Sequence, residues 1–183
     1  MAYSVLSTAI PDVLVLEPRV FPDARGGFFE SYNRLDFQRA TGLDREFVQD
    51  NHSWSERGVV RGLHYQIEQT QGKLVRVVAG EIFDVAVDLR RRSPSFGRAT
   101  TMILSSENRK QLWIPEGFAH GFLVTSERAE VLYKTTDYWS AAHERTLLWN
   151  DSALGIDWPL SGSPLLAPRD ATGTSLASAE CFP

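Results

Sequence analysis

The stretch from Gly72 to Arg90, GKLVRVVAGEIFDVAVDLR, decides the fold class. Two runs rich in Val and Ile flank the short break Ala79-Gly80-Glu81. β-branched residues crowd a helix but suit a pleated, half-buried surface, so both runs read as strands. A break this short with a central glycine reads as a hairpin turn. In the second run Phe83, Val85, Val87 and Leu89 alternate with Asp84, Ala86, Asp88 and Arg90, the period-two pattern of a strand with two different faces.

The same texture continues on both sides. ATTMILSS (99–106), KQLWIPEG (110–117), HGFLVTSE (120–127) and AEVLYKTTDYW (129–139) read as further short strands separated by polar or Gly/Pro-containing turns. Upstream, residues 13–33 read as two strands around a Pro-Asp-Gly turn. Residues 33–42, NRLDFQRATG, read as one short helix with Asn33 as N-cap and Gly42 closing it. The Pro- and Gly-rich end, residues 155–176, reads as a wrap over the outside with room for a small helix. Many short strands at near-regular spacing predict a mainly β protein, a sandwich or jelly-roll barrel, with a few short peripheral helices. The 183 residues fit a single domain over 1–183.

Bulk composition narrows the function classes. A net charge of −4 argues against a broad nucleic-acid surface. The basic residues are sixteen Arg against three Lys. Arginine suits bidentate phosphate recognition, although codon composition is the plainer source of such an excess. One cysteine, Cys181, permits neither an intrachain disulfide nor a cysteine metal site, and fits a reducing cytoplasm. The N-terminal stretch has no basic region before its apolar run, which Pro11 and Asp12 break, so it does not read as a secretory leader. No apolar run approaches the ~20 residues of a membrane span.

Polar residues interrupt strands that otherwise look buried: Lys73, Arg76, Asp84, Tyr133 and Lys134. Pointing into a barrel they would line a wet pocket, each paired, because an unpaired buried charge is very costly. Pointing out, they would only mark a solvated sheet face, and the pattern leaves both readings open. Two histidines pose a sharper question. Metal-binding barrels of the cupin type carry an HxH pair, a carboxylate a few residues later, and a third histidine in PxGxxH. The last part is present as Pro115, Gly117 and His120. The first is not: in His64-Tyr65-Gln66 a glutamine stands where the second histidine belongs. Two histidines fall short of the three protein ligands that a tight site needs, so neither metal nor cofactor is expected. A lone histidine on an apolar strand is most simply a packed core residue. With Lys73 and Tyr133 in the same barrel, His64 could instead act as a general base beside a cation and a phenol.

Taken together, FVQDNHSWSERGVVRGLHYQ, QGKLVRVVAGEIFDVAVDLRRRSPSFG, LWIPEGFAHGFLV, VLYKTTDYWSAAHER and GIDWPL resemble the dTDP-4-dehydrorhamnose 3,5-epimerases, metal-free cupin-like enzymes. The resemblance runs nearly the whole chain, from FPDARGGFFES to PRDA. It implies a cupin-type jelly-roll barrel that inverts C3 and C5 of dTDP-4-dehydro-6-deoxy-D-glucose on the way to dTDP-L-rhamnose. By the same resemblance His64 is the general base, Asp170 its carboxylate partner, Lys73 the cation beside the C4 oxygen, and Tyr133 the acid on the opposite face. Implied nucleotide and sugar contacts are Phe21, Arg25, Glu30, Gln49, Asn51, Arg61, His120, Trp139, Glu144 and Arg169, with Phe21 and Trp139 at the positions that stack on thymine. It also implies a homodimer whose N-terminal segment crosses to the neighbour, so that Phe21 and Arg25 serve the partner's site. Two positions depart from the family pattern: Trp139 where tyrosine is common, and Arg169 where lysine is frequent.

Other readings stay open at this point. A relative from a deoxysugar or antibiotic pathway would invert only C3 or only C5, a difference the four chemical residues do not encode. A non-catalytic sugar-nucleotide-binding cupin would more naturally have lost His64 or Tyr133. A metal-dependent cupin dioxygenase conflicts with Gln66. Phe28, Phe29, Trp113 and Trp149 read as core, His52 and His143 as surface or supporting residues, and Arg90–Pro94 as a solvated turn.

Overall fold

The computed structural model describes residues 3–183; the first two residues of the N-terminal stretch read above lie outside it. Two sheets face each other as a jelly-roll barrel. The first contains β1 (Tyr3–Ser7), β2 (Leu14–Pro18), β10 (Gln111–Ile114), β7 (Lys73–Ala79), β12 (Arg128–Thr135) and β5 (Gln49–Glu56), in that spatial order. The second contains β13 (Glu144–Thr146), β6 (Val60–Gln66), β11 (Phe118–Val124), β8 (Glu81–Asp88) and β9 (Ala99–Ser105). From β5 onward the chain changes sheet at every connection except the β8–β9 pairing.

That alternation overturns the hairpin expected across Ala79-Gly80-Glu81. The strands on either side of Gly80 do not pair. β7 bonds to β10 and β12, while β8 bonds to β11 and β9. Gly80 is a corner between sheets. Its φ of +73° suits glycine, and an added Cβ would lie 2.0 Å from the Arg128 carbonyl oxygen. Local sequence shows only that the chain turns; which neighbour each strand finds is decided by the far larger buried area of the packed sheets.

The faces of β8 also sort differently from a simple apolar-in, polar-out rule. Ile82 and Ala86 join the barrel core with Val75, Val77, Leu112, Phe122 and Val131. Asp84 shares their parity and so faces the interior. The apolar set Val85, Val87 and Leu89 faces outward, into a second cluster with Leu63, Tyr65, Leu147, Leu154 and Ala179. Phe83 meets Trp158 there edge-on, with ring centroids 5.7 Å apart. The outer face stays dry because the C-terminal tail covers it, tethered by bridges Leu147–Thr174, Val59–Leu165 and Arg90–Phe182. The expected wrap is therefore present, with a 3-10 turn (Ser152–Leu154) and one short helix, α2 (Pro168–Ala171).

α1 (Arg34–Thr41) forms where predicted. Asn33 accepts from the backbone N–H groups of Leu35 and Asp36, and Gly42 closes the helix in the left-handed region at φ 73°. Its Phe37 is fully buried against Trp113, centroids 5.6 Å apart, on the outer face of the first sheet. Trp113 is core as expected. Phe28 is not: at 66% exposure it sits on a two-stranded ribbon of β3 (Phe21–Asp23) and β4 (Gly26–Phe28) that pairs with no other strand. Phe29 and Trp149 are only partly buried. Two of the polar strand residues turn away from the barrel. Arg76 and Lys134 line a groove on the outer face of the first sheet, where Lys134 bonds Asp50 at 2.9 Å.

Candidate active site

Lys73, Asp84, His64, His120 and Tyr133 all point into the barrel, so the wet-pocket reading holds for these. The alternation of strands sends each side chain there from a named register. His64 and His120 are direct partners across β6 and β11, hence neighbours on the inner face. Lys73 opens β7 and Tyr133 lies on β12, both in the opposite sheet. They line a cavity of about 410 Å³ together with Gln49, Asn51, Arg61, Trp139, Glu144 and Arg169. Ten of the fourteen residues singled out from sequence thus converge on one cavity wall.

Asp170 stands just behind that wall. It is 2% exposed, on α2, and its Oδ1 lies 2.6 Å from His64 Nε2. A buried carboxylate this close fixes the imidazole's orientation. One ring nitrogen is committed to Asp170, which leaves the other to exchange a proton in the cavity. Arg169, beside it on α2, donates to Glu144 at 2.8 Å and approaches Asp170 at 3.6 Å. That contact bridges α2 to β13 and holds the Asp170 carboxylate against β6.

A second histidine–aspartate pair lies alongside the first. His120 Nε2 is 2.9 and 3.1 Å from the two carboxylate oxygens of Asp84, which is fully buried. Lys73 is 7% exposed and donates to the His64 carbonyl oxygen at 3.2 Å. Burial depresses its ammonium to about 8, against the pull of Asp84 and Glu144. Burial pushes the Tyr133 phenol up, with Arg61 opposing. At neutral pH the cavity therefore offers a hydroxyl donor, a desolvated cation and an imidazole held by a carboxylate.

The mouth of the cavity is basic and aromatic. Arg61 donates to Ser55 Oγ at 2.9 Å and to the Trp54 carbonyl at 3.3 Å, which fixes the guanidinium while leaving donors unused. Trp139 is 56% exposed at the rim. Three expected contacts lie elsewhere. Phe21 and Arg25 sit on the exposed β3–β4 ribbon, where Arg25 pairs with Asp23 at 2.6 Å. Glu30 accepts from Asn33 at 3.3 Å. None of these three lines the cavity.

Sequence reasoning gives no role to Gln71 and Ser53, and leaves Asp84 open between the pocket and a solvated face. Asp84 had a usable signal, its parity with Ile82 and Ala86. For Gln66 the sequence pattern says only that a metal ligand is missing. Among the described residues no cluster of three or more His, Cys, Asp or Glu side chains is placed to hold a metal ion.

Comparison with known proteins places this geometry. The model of the dTDP-4-dehydrorhamnose 3,5-epimerase family matches residues 7–178. The dTDP-4-dehydrorhamnose 3,5-epimerase of Pseudomonas aeruginosa is 63% identical, covering 96% of this chain and 97% of its own length. The crystal structure of RmlC from Legionella pneumophila, in complex with dTDP-4-keto-L-rhamnose, matches at a TM-score of 0.95 and 47% identity over 97% of this chain and 95% of that one. ChmJ of Streptomyces bikiniensis, a 3'-monoepimerase in complex with dTDP-quinovose, matches at 0.88 and 32% identity over 94% and 87% of the two chains. Coverage from end to end at this level of identity leaves one assignment: the chain belongs to the dTDP-4-dehydrorhamnose 3,5-epimerase family.

Proposed function

We propose that this cavity inverts C3 and C5 of dTDP-4-dehydro-6-deoxy-D-glucose, giving the dTDP-4-keto sugar of the L-rhamnose series. The observation that carries the proposal is His64 of one sheet, paired with Asp170 of α2, facing Tyr133 and Lys73 of the other sheet. The C4 ketone acidifies the hydrogens on C3 and C5. His64 takes such a proton, and Asp170 stabilises the resulting imidazolium. Charge moves onto the C4 oxygen, where the buried Lys73 supplies a cation. Tyr133, kept protonated by burial, returns a proton to the other face of the ring. Inversion needs donor and acceptor on opposite faces, and a base and an acid carried by opposing sheets meet that need.

The nucleotide would run toward the mouth. Arg61 suits the pyrophosphate, and the flat face of Trp139 suits thymine. Gln49, Asn51, His120, Glu144 and Arg169 line the path between. Phe21, Arg25 and Glu30 fit a homodimer in which the exposed β3–β4 ribbon of one subunit reaches the cavity of its partner. Residues 1–183 would then act as one cupin-like domain in the cytoplasm. Among the described residues no helix is long and apolar enough to cross a membrane.

The test is solvent exchange. The dTDP-4-keto sugar is incubated with the protein in deuterated water and followed by NMR. Deuterium at both C3 and C5 is the expected result. Label at one carbon only would move the protein to the single-site epimerases, and no label would refute the reaction.

A further inference from the structure

Gln66 occupies the position where a metal-binding cupin carries its second histidine, and its amide is fully engaged. It is 4% exposed. Its Nε2 donates to the carbonyl oxygens of Gln69 at 2.7 Å and Tyr138 at 3.1 Å, and its Oε1 accepts from the Ser140 N–H at 2.7 Å. Two more glutamines grip the same segment. Gln49 accepts from the Trp139 N–H at 3.1 Å, and Gln71 donates to the Asp137 carbonyl at 2.9 Å. Four consecutive residues, 137–140, are thus held through their backbone by side chains from β5, β6 and the β6–β7 loop. The loop follows β12 at the cavity mouth, and the Trp139 ring it carries is more than half exposed. An exposed aromatic on a loop would ordinarily sample several positions; this one stands on a fixed base.

We infer that Gln66 is a positioning residue of the substrate cavity, holding residues 137–140 so that Trp139 is a preformed platform for the nucleobase. This rests on the reading of Trp139 as the base-stacking residue. Pre-ordering removes the entropy loss that binding would otherwise carry, so the effect falls on affinity rather than on proton transfer. His64 lies two residues away on the same face of β6. One strand would then hold both the reacting end and the recognition end of the substrate.

Gln66→Leu keeps most of the volume and removes all three hydrogen bonds. Expected results are faster amide hydrogen exchange at 137–140, a Kd for dTDP and a KM each raised roughly tenfold, in the range of a lost base–aromatic stack, and kcat within about twofold of wild type. Trp139→Ala should weaken dTDP to a similar degree. The double variant should be no weaker than Trp139→Ala alone, because both changes remove one interaction. If Trp139→Ala binds dTDP like wild type, the platform reading fails and takes the inference with it. If Trp139→Ala weakens binding while Gln66→Leu does not, or if the two effects add, only the role of Gln66 is overturned. A fall in kcat at unchanged KM would overturn it too. Gln66→Asn, whose shorter amide cannot reach Tyr138 and Ser140, gives the same readout should the leucine variant not fold.

Discussion

The role proposed for Lys73 sets chemistry against stability, and the trade can be measured. Its ammonium is held in the barrel at 7% exposure and depressed from the usual 10.5 to about 8. At about 1.4 kcal/mol per tenfold change in ionisation constant, the charged form costs the fold about 3 kcal/mol at pH 7. Lys73→Met removes the charge and keeps the length. It also loses the bond to the His64 carbonyl oxygen, worth about 1 kcal/mol. The variant should therefore be more stable by about 2 kcal/mol, a Tm rise of roughly 4–8 °C for a chain this long. The sign with pH follows from proton binding. Between about 8 and 10.5 the unfolded chain keeps the Lys73 proton and the folded chain loses it, so wild-type stability gains on the variant as pH rises. Urea unfolding of both proteins at pH 7 and pH 10, at equal protein concentration, reads the gap directly. Activity should move the other way, falling about 10²–10³-fold as expected for a lost oxyanion partner. Wild-type kcat/KM should decline above about pH 8 as the cation is lost. A methionine variant less stable than wild type at pH 7, or a gap of equal size at both pH values, would refute the reasoning.

Asp170→Asn should leave the fold and dTDP affinity near wild type but lower kcat by about 10²–10⁴, because the amide cannot stabilise imidazolium; turnover assays alongside calorimetry check this, and near-native turnover would remove the pair from the mechanism. Tyr133→Phe should abolish net inversion by about 10²–10⁴-fold while His64 still washes deuterium into the substrate. Exchange and inversion falling together would deny Tyr133 its separate role. Mixing inactive His64→Ala subunits with inactive Arg25→Ala subunits should restore activity if the β3–β4 ribbon serves a partner's cavity, and failure to restore any would place Arg25 outside that site.

Much of the barrel was legible in the chain because strand formation is largely local. Apolar runs between turn residues point to β7, β8, β9, β10, β11 and β12, and the Asn33 and Gly42 caps to α1. β5 was invisible to this signal. Its sequence, QDNHSWSE, is polar, and most of its residues are partly or wholly exposed at a sheet edge. Pairing was not legible either, as the corner at Gly80 shows, since the same few turn residues serve a hairpin and a change of sheet.

The site divides along the same line. Residue identity alone determined which groups are able to do the chemistry: the histidines, the strand lysines, the tyrosine, the arginines, and a glutamine that leaves the metal pattern incomplete. Only the tertiary structure decided where they point. It turned Lys73 and Asp84 inward and Arg76 and Lys134 outward. It brought Asp170 across 106 positions of chain to within 2.6 Å of His64, and it set Gln66 to work on the loop of Trp139. The physical reason is that a side chain's face is set by strand parity relative to the partner sheet, and parity acquires a meaning only once the two sheets have packed and the tail has covered one of their outer faces.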